Sequence, residues 1–390
     1  MNATTNRALG ALCALAALLV AITAGGCGGA SSEVTAASKG GIGKAEAAVA
    51  AGRKPASWKA PGPEIADTVG VRGKTFYYIG NGLDLAPIQA IVKGLKEATS
   101  AVGMKLEVAD GRGQPAQVSQ QIDRAISLNA AVIATTSFEG QQIGAAVERA
   151  RDAGIDVILG TAGDPELPSA ADRKLGVSAL VTFCYTCAGR ELADAAIAGS
   201  EGNVNAVAFD VPESRSAVIE AEATVEEIET ICPGCNVSVR HAPLTQWTTG
   251  LQSLTSSTLK SDPTINYLIP VWDPMVAYMK PAVAALGKSE DVSIATYNGS
   301  IEQLTDLSEG EMVQTDIGSP FSWIGYGMVD QALRVLSGAA PAKSENVPNR
   351  IFDSSNVDDL HLDEGLSISG EVARYGVDFP REYKRLWGLE

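Results

Sequence analysis

From Lys74 onward, short apolar runs alternate with longer segments whose apolar residues recur at helical spacing. The first run, Thr75–Ile79, is rich in β-branched and aromatic residues and ends at Gly80, so it predicts a β-strand. The next segment has one apolar face with a period of 3.6 residues, which predicts an amphipathic helix. The residues of that face are Ile88, Ile91, Val92, Leu95 and Val102.

The same alternation continues along the chain. Because short apolar strands that alternate with helices form parallel sheets covered on both faces, we predict an α/β fold. It should have two doubly wound parallel-sheet lobes joined by a hinge, with a ligand cleft between them. Further strands are predicted at Lys105–Ala109, Ala131–Ala134, Asp156–Leu159, Val204–Phe209, Val237–Arg240, Tyr267–Val271 and Val292–Tyr297. Further helices are predicted at Gln141–Ala153, Ala188–Ala198, Ser214–Ile231, Gly250–Leu259 and Met275–Leu286.

The N-terminus has the pattern of an export signal. Ala8–Ile22 is almost wholly apolar and follows Arg7; it is short for a membrane span but has the length of a signal-peptide core. Small residues then lead into Cys27, and this resembles the bacterial lipobox, whose cysteine is acylated. We predict a signal peptide over residues 1–26 and lipidation of Cys27. Because Ala24 stands where leucine is usual, cleavage without a lipid is the alternative.

The segment after the signal peptide predicts a tether rather than a domain. Gly28–Ser32 has the composition of a flexible linker. Lys44–Ala51 has room for a helical turn or two, but the prolines between residues 55 and 63 exclude a long element. We therefore predict a lipid-anchored tether over residues 27–73. No later segment is long and apolar enough to span a bilayer.

The charge pattern excludes two classes of partner. The chain has 46 acidic and 30 basic residues, for a formal net charge of -16, and the charges are scattered. This favours solubility and argues against nucleic acid and against a basic membrane-binding face. The only membrane contact that we expect is therefore the lipid anchor.

The sequence contains few of the features that are typical of enzyme active sites. The two histidines, His241 and His361, lie beside no recognisable motif with a serine or cysteine nucleophile. Gly80 and Gly82 follow the first strand, but the further glycine that a phosphate-binding loop has at a fixed spacing is missing. We expect no catalytic residue and no cofactor.

Candidate ligand contacts follow from the predicted sheet edges. In doubly wound sheets, ligands sit beyond the carboxyl ends of the strands, so the loops there should face the cleft. Aromatic rings offer flat apolar faces and planar polar side chains offer hydrogen bonds, and a sugar needs both. The candidates are Asn81, Asp84, Phe138, Thr161, Arg215, Trp247, Trp272, Asp273 and Asn298.

These candidates also have structural interpretations. The tryptophans and Phe138 could pack in the core or at the hinge. Asp273 could cap the following helix through its side-chain oxygen, and Arg215 could be a solvated residue at a helix start. Asn81 and Asp84 could form a turn.

Several short motifs in a fixed order point to one family. The chain resembles the type I periplasmic binding proteins, in the ribose-binding-like branch that serves ABC transporters, over residues 74–357. The matching stretches are Asp110-Gly111, Gln117–Ile126, Ala153–Ile158, Gly189-Arg190, Val271–Met275, Tyr297–Gly299 and Gly325 before the helix Met328–Leu336.

The resemblance implies how the lobes are built. The N-terminal lobe would comprise residues 74–182 plus 319–348, and the C-terminal lobe with its tail residues 183–318 plus 349–390. The implied hinge crossings lie near Thr182, Gly318 and Pro348.

The resemblance also implies a function. The chain would be a monomeric substrate-binding lipoprotein of the cell envelope, periplasmic or on the outer face of the cytoplasmic membrane. It would capture a small solute, a sugar or a related compound, and deliver it to the permease of an ABC importer. A binding module that reports to a sensor is the first alternative.

Only some of the family's ligand contacts have a counterpart in this sequence. Asp273 matches the acidic residue after a strand of the C-terminal lobe, Asn298 stands where the family has a cleft aspartate, and Arg215 lies near its cleft arginine. The Asp-Arg pair that many sugar binders carry after the fourth strand is replaced by Thr161-Ala162. This argues against a ribose-like sugar; a polyol, a nucleoside or an aromatic compound would also suit the tryptophans.

Four cysteines form two CxxC pairs. In an exported protein such pairs favour disulfides over zinc, and a predicted helix of about 17 residues would hold the pairs roughly 25 Å apart. A CxxC at a helix start also occurs in thiol-disulfide oxidoreductases, which is the second functional alternative. We predict the disulfides Cys184–Cys187 and Cys232–Cys235 and no metal site.

Overall fold

The computed structural model describes residues 36–65, 68–165, 168–365 and 367–390. The predicted signal peptide and Cys27 lie outside the described residues. None of the helices described is long and apolar enough to cross a membrane. The described chain begins with helix α1 (Ala36–Gly52), and the two sheets follow it.

The first sheet has five parallel strands in the order β2-β1-β3-β4-β5. Its helices lie between consecutive strands, as in a doubly wound fold. The strands are β1 (Thr75–Gly80), β2 (Lys105–Asp110), β3 (Val132–Thr136), β4 (Asp156–Gly160) and β5 (Val177–Val181). The helices are α2 (Ala86–Val102), α3 (Pro115–Ser127), α4 (Gly144–Asp152) and α5 (Ala170–Leu175).

The second sheet has six strands in the order β11-β10-β9-β8-β6-β7, and only β11 is antiparallel to its neighbour among these described strands. Its strands are β6 (Asn205–Asp210), β7 (Asn236–His241), β8 (Tyr267–Pro270), β9 (Ser293–Asn298), β10 (Val313–Gly318) and β11 (Arg350–Asp353). The helices in sequence with them are α6 (Tyr185–Gly199), α7 (Arg215–Ile231), α8 (Gln252–Ser261), α9 (Val276–Ala285), α10 (Ile301–Ser308) and α11 (Phe321–Leu336).

The alternation of side chains along β1 places helices on both faces of the first sheet. Phe76 and Tyr78 belong to the apolar core shared with α2 and α11, whereas Tyr77 and Ile79 belong to the core shared with α3 and α4. Successive side chains of a strand point to opposite faces, so both faces of this sheet are buried. The α/β fold with two parallel-dominated sheets is thus confirmed.

The chain passes three times between the two sheets. The first crossing, residues 182–184, joins β5 to α6, and the second, residues 319–320, joins β10 to α11. The third, residues 337–349, returns from α11 to β11. Helix α11 packs against α2, β4 and β5 and thus belongs to the first lobe, although it follows a strand of the second.

Three of the strands were not predicted from the sequence. Strands β5 and β11 are short, with five and four residues, and Gln314 and Asp316 interrupt any apolar run in β10. Their positions matter because β5 and β10 lead directly into two of the three crossings.

The prediction of a tether over residues 27–73 is wrong from Ala36 onward. Helix α1 has 17 residues and packs against α6 and α7, burying Ala45 and Val49. The prolines that argued against a long element come after the helix has ended at Gly52. This segment is part of the folded body.

Residues 53–65 continue from α1 across to the first lobe. The Arg53 Nε donates to the Asp353 carboxylate next to the second sheet over 2.6 Å. Trp58 then stacks on Trp323 of α11, with ring centroids 5.5 Å apart, and Ile65 N–H donates to the carbonyl of Leu386.

The C-terminal segment also returns to the first lobe. It forms α12 (Ile368–Tyr375) and α13 (Phe379–Leu386), which contact α2 and α11. Trp387 donates its indole N–H to Asp330 of α11 over 2.8 Å. Residues 367–390 therefore pack on the first lobe, whereas the family resemblance assigned them to the C-terminal lobe and its tail.

Candidate functional site

A cleft lies where the carboxyl ends of the strands of both sheets meet. Its open volume is about 110 Å³. Larger grooves exist on the surface, such as one of about 900 Å³ beside α12 and α13, but that groove is open and is not lined by both lobes. The residues lining the cleft are Asn81, Leu85, Pro87, Ile88, Ile91, Ser137, Thr161, Tyr185, Ser216, Leu244, Trp247, Trp272, Pro274, Asn298 and Phe321.

Two tryptophans form the wall contributed by the second lobe. Trp272 follows β8, and Trp247 opens a π-helical turn that leads into α8. Their ring centroids are 6.2 Å apart with the planes at 66°, an edge-to-face arrangement. Trp247 donates its indole N–H to the Ala242 carbonyl over 2.9 Å, which fixes its orientation against Trp272.

Two more aromatic residues, missed in the sequence, line the cleft beside the hinge. Tyr185 opens α6 after the first crossing, and Phe321 opens α11 after the second. Phe183 packs edge-on against both, with centroid distances of 6.2 Å to Tyr185 and 4.9 Å to Phe321. Predicting β5 and β10 would have placed both residues at the cleft edge, since each follows the carboxyl end of one of these strands.

Three residues at the ends of strands have unusual backbone angles. Ser137 (φ 68°), Thr161 (φ 51°) and Asn298 (φ 144°) follow or end β3, β4 and β9, and all three line the cleft. Positive φ strains residues other than glycine, and such strain clusters where a structure holds side chains for function. Backbone hydrogen bonds to the neighbouring strands hold two of these residues in place. Ser137 N–H donates to the Gly160 carbonyl and Thr161 N–H to the Val181 carbonyl, each over 2.9 Å.

Asn81 lines the cleft and carries an unsatisfied acceptor. It follows β1, and its Oδ1 is buried without a hydrogen-bond partner among the described residues. A buried polar atom without a partner is costly in a native protein, so a donor from a bound molecule would satisfy it.

Five of the nine predicted contacts meet in the cleft and four lie elsewhere. Asp84 is exposed, and Phe138 packs in the core between the first sheet and α3. Arg215 lines a neighbouring cavity of about 370 Å³ with Glu139 and forms a 3.5 Å ion pair with Glu222. Burial and the nearby Asp172 raise the pKa of Glu139, and the Arg215 charge opposes this shift.

Asp273, the fourth, is fully buried behind the cleft. Its carboxylate accepts hydrogen bonds from Thr296 Oγ1 over 3.0 Å and from Ser300 N–H over 2.8 Å. Burial raises the pKa of Asp273 to about 6, while the bonds from Ser300 and Thr296 lower it. Strand β10 carries Asp316, whose pKa is held well above its usual range by burial and by the charge of Asp273. Asp273 thus fixes the turn after β9 and lies behind the lining.

The structure contains the two predicted disulfides, Cys184–Cys187 and Cys232–Cys235. The first pair lies at the start of α6, beside Tyr185. The second pair lies near Gly202, just beyond the end of the same helix. The 15 residues of α6 therefore separate the two pairs by roughly 22 Å. Within the described residues, no cluster of His, Cys, Asp or Glu could hold a metal ion.

Solved structures with the same fold cover most of this chain. An ABC transporter solute-binding protein of Agrobacterium vitis with bound allitol is 19% identical, with 74% of this chain and 98% of that chain covered and a TM-score of 0.64. A Mycobacterium smegmatis protein in complex with β-D-fucofuranose is 20% identical, with 78% and 98% covered and a TM-score of 0.65. A Bacillus halodurans solute-binding protein with bound myo-inositol is 18% identical, with 74% and 97% covered and a TM-score of 0.64.

No curated protein sequence matches the chain. A family model, that of the periplasmic binding protein domain, matches residues 77–340. The match runs from β1 through α11 and so includes the first sheet, five of the six strands of the second sheet and the cleft between them. It confirms the family predicted from the order of motifs. The chain belongs to the periplasmic binding protein domain family, whose members bind solutes and are not enzymes.

Proposed function

We propose that this protein captures one small uncharged solute between its lobes and delivers it to the permease of an ABC importer. The observation that carries the proposal is a cleft lined from both lobes: Asn81 and Leu85 lie on the first, and Trp247 and Trp272 on the second. A ligand that contacts both walls binds a closed arrangement better than an open one, and so shifts the population toward closure. Closure would give the permease a signal that the cleft is filled.

The solved relatives support a ligand of sugar size. Their bound molecules are allitol, β-D-fucofuranose and myo-inositol, which are all uncharged. For this chain we propose a sugar or a related compound as the starting class.

A solute library tests this function. Binding of one compound should raise the melting temperature of the purified protein as mass action requires. The same compound should reduce the radius of gyration in small-angle X-ray scattering. A ligand that raises the melting temperature without compaction would contradict closure, and a broad library of small solutes without any ligand would contradict the function.

We further propose that residues 1–26 direct export, that Cys27 is acylated, and that the protein works as a monomer at the outer face of the cytoplasmic membrane. Replacing Cys27 by serine should move the protein from the membrane fraction to the soluble fraction. If Cys27→Ser stays in the membrane pellet, the apolar N-terminus is itself the anchor. Light scattering of the soluble form should give the mass of one chain.

A further inference from the structure

The lining of the cleft carries no charged side chain. Ten of its fifteen residues are apolar or aromatic, and the others are three hydroxyl residues, Ser137, Thr161 and Ser216, and two amides, Asn81 and Asn298. Charged groups make the stronger hydrogen bonds to hydroxyl-rich ligands, and they are the ones absent from the described lining.

The acids near the cleft do not supply that charge. Glu220 is fully buried and close enough to Tyr185 to act on it electrostatically. Burial, and then the charges of Asp273 and Asp164, hold the pKa of Glu220 well above its usual range, which favours the uncharged carboxyl. Asp164 is bound to the start of α6, where it accepts from the N–H groups of Tyr185 and Thr186 over 2.6 and 3.0 Å.

Several hydroxyls of the lining are already bonded within the protein. Ser216 shares a hydrogen bond with Ser214 over 2.9 Å. The hydroxyls of Ser137 and Thr161 lie 3.4 Å apart. Among the residues that line the cleft, Asn81 has a buried acceptor, Oδ1, without a hydrogen-bond partner in the described structure. One donor on the ligand satisfies it.

Two leucines at the cleft present apolar surface to water. Leu85 from the first lobe is 42% exposed and Leu244 from the second is 41% exposed, and both line the cleft. They are two of only five large apolar residues that are exposed in the described part of the chain. Their position on opposite walls means that an apolar molecule between them would remove both from water, which is favourable.

The size of the cleft limits the ligand to about one ring. The open volume is about 110 Å³, and an apolar protein cavity of about 150 Å³ is known to hold benzene. A fully hydroxylated ring of this size would bring several buried hydroxyls without partners, each of which costs affinity.

We propose that the ligand is an uncharged single-ring compound with a mostly apolar surface and one or two hydroxyl groups, of the aromatic or alicyclic alcohol class. This inference rests on the proposed capture of a solute between the lobes, and it replaces the sugar class named there by a more apolar ligand. The ring lies between Trp272 and Leu244 on one side and Leu85 on the other, and a hydroxyl donates to Oδ1 of Asn81.

Two compounds with the same ring and different numbers of hydroxyls test the inference. Cyclohexanol carries one hydroxyl and myo-inositol six, and phenol supplies the aromatic form. Calorimetry with the purified protein should show cyclohexanol or phenol binding at least about tenfold more tightly than myo-inositol, since each unpaired buried hydroxyl costs affinity.

Variants of the two exposed leucines separate cleft binding from nonspecific binding. Leu85→Ser and Leu244→Ser should each weaken binding of cyclohexanol or phenol about tenfold. Leu128→Ser is the matched control, because Leu128 is 52% exposed at the end of α3 and does not line the cleft. An equal effect of all three substitutions would overturn the assignment of the binding to the cleft.

The outcomes distinguish the ligand class from the function. If myo-inositol or a hexose binds more tightly than cyclohexanol and phenol and compacts the protein, the apolar class is wrong and the binding function stands. The same holds if the ligand found in the solute library carries a charge or many hydroxyls. If none of these test compounds binds, the apolar class is wrong, and the broad solute library decides the binding function.

Discussion

Asn349 donates a hydrogen bond from its side-chain amide to the carbonyl oxygen of Cys184 over 3.2 Å. Asn349 ends the third crossing between the lobes and Cys184 ends the first. The amide oxygen of Asn349 accepts from Ser319 of the second crossing over 2.9 Å. The three crossings therefore share one polar centre.

Loss of the Trp272 ring should weaken ligand binding. We expect Trp272→Ala to lower affinity by about 1–3 kcal/mol, because the ligand loses a flat apolar face. Trp272→Phe, which keeps an aromatic ring, should lose less. Calorimetry with a ligand from the solute library measures both; equal affinity of Trp272→Ala and the unaltered protein would move the site away from β8.

Replacing Asp273 should affect stability before binding. Asp273→Ala leaves the Ser300 N–H and the Thr296 hydroxyl without their buried acceptor, and we expect a loss of about 2–4 kcal/mol in the free energy of unfolding. Asp291→Ala, at an exposed aspartate, is the matched control and should change little. Denaturant unfolding measures the difference, and equal stability of the two variants would show that Asp273 has no structural role.

The stability of the protein should depend on pH through Glu371. Burial raises the pKa of Glu371 to about 7, although hydrogen bonds from Ser322 and the charge of Arg374 lower it. Because the folded state holds a proton that the unfolded chain releases near 4.5, this contribution to stability is fully present below about pH 4.5. It is lost as the pH rises to about 7, and it amounts to roughly 3 kcal/mol.

Melting temperatures at pH 5 and pH 8 measure this effect. The unaltered protein should lose several degrees between these two values, and Glu371→Gln should lose less, because glutamine does not titrate. Glu229→Gln, at an exposed position on α7, should retain the pH dependence of the unaltered protein. The same dependence in all three proteins would show that the Glu371 carboxyl is not the source.

The two disulfides should differ in what their loss affects. Each closes a short loop, so removing either should cost less than the about 2–5 kcal/mol typical of small secreted domains. Replacing Cys232 and Cys235 by serine should mainly loosen the turn before β7. Replacing Cys184 and Cys187 should alter ligand-induced compaction, since this pair adjoins the first crossing. Scattering with and without ligand compares the double variants; identical compaction in both would contradict a role at the hinge.

The fold was predictable where the apolar pattern was regular. Strands such as β1 and β4 are continuous apolar runs, and the helices between them have one apolar face. Strand β10 could not be predicted in this way, because it contains the polar residue Asp316. The Asp316 side chain is buried beside Asp273 and accepts a hydrogen bond there. A buried carboxylic acid resembles a surface residue in a sequence.

The residues of the site could be predicted only in part. The rule that ligands lie beyond strand ends placed Trp272 and Asn298 correctly at the cleft edge, and the structure shows both in the lining. The rule does not say which way a side chain points. Asp273 adjoins Trp272 in the sequence but faces the interior, and Leu85 and Leu244 line the cleft although apolar residues in loops gave no signal of binding.

The docking of α1 on the second lobe shortens the reach of the molecule above the membrane. With Cys27 anchored as we propose, nine residues separate the lipid from Ala36, which is at most about 30 Å of extended chain. A tether that ended at residue 73 would reach at most about 160 Å. The body would then diffuse next to the bilayer, so its search for a permease would be confined to the membrane surface.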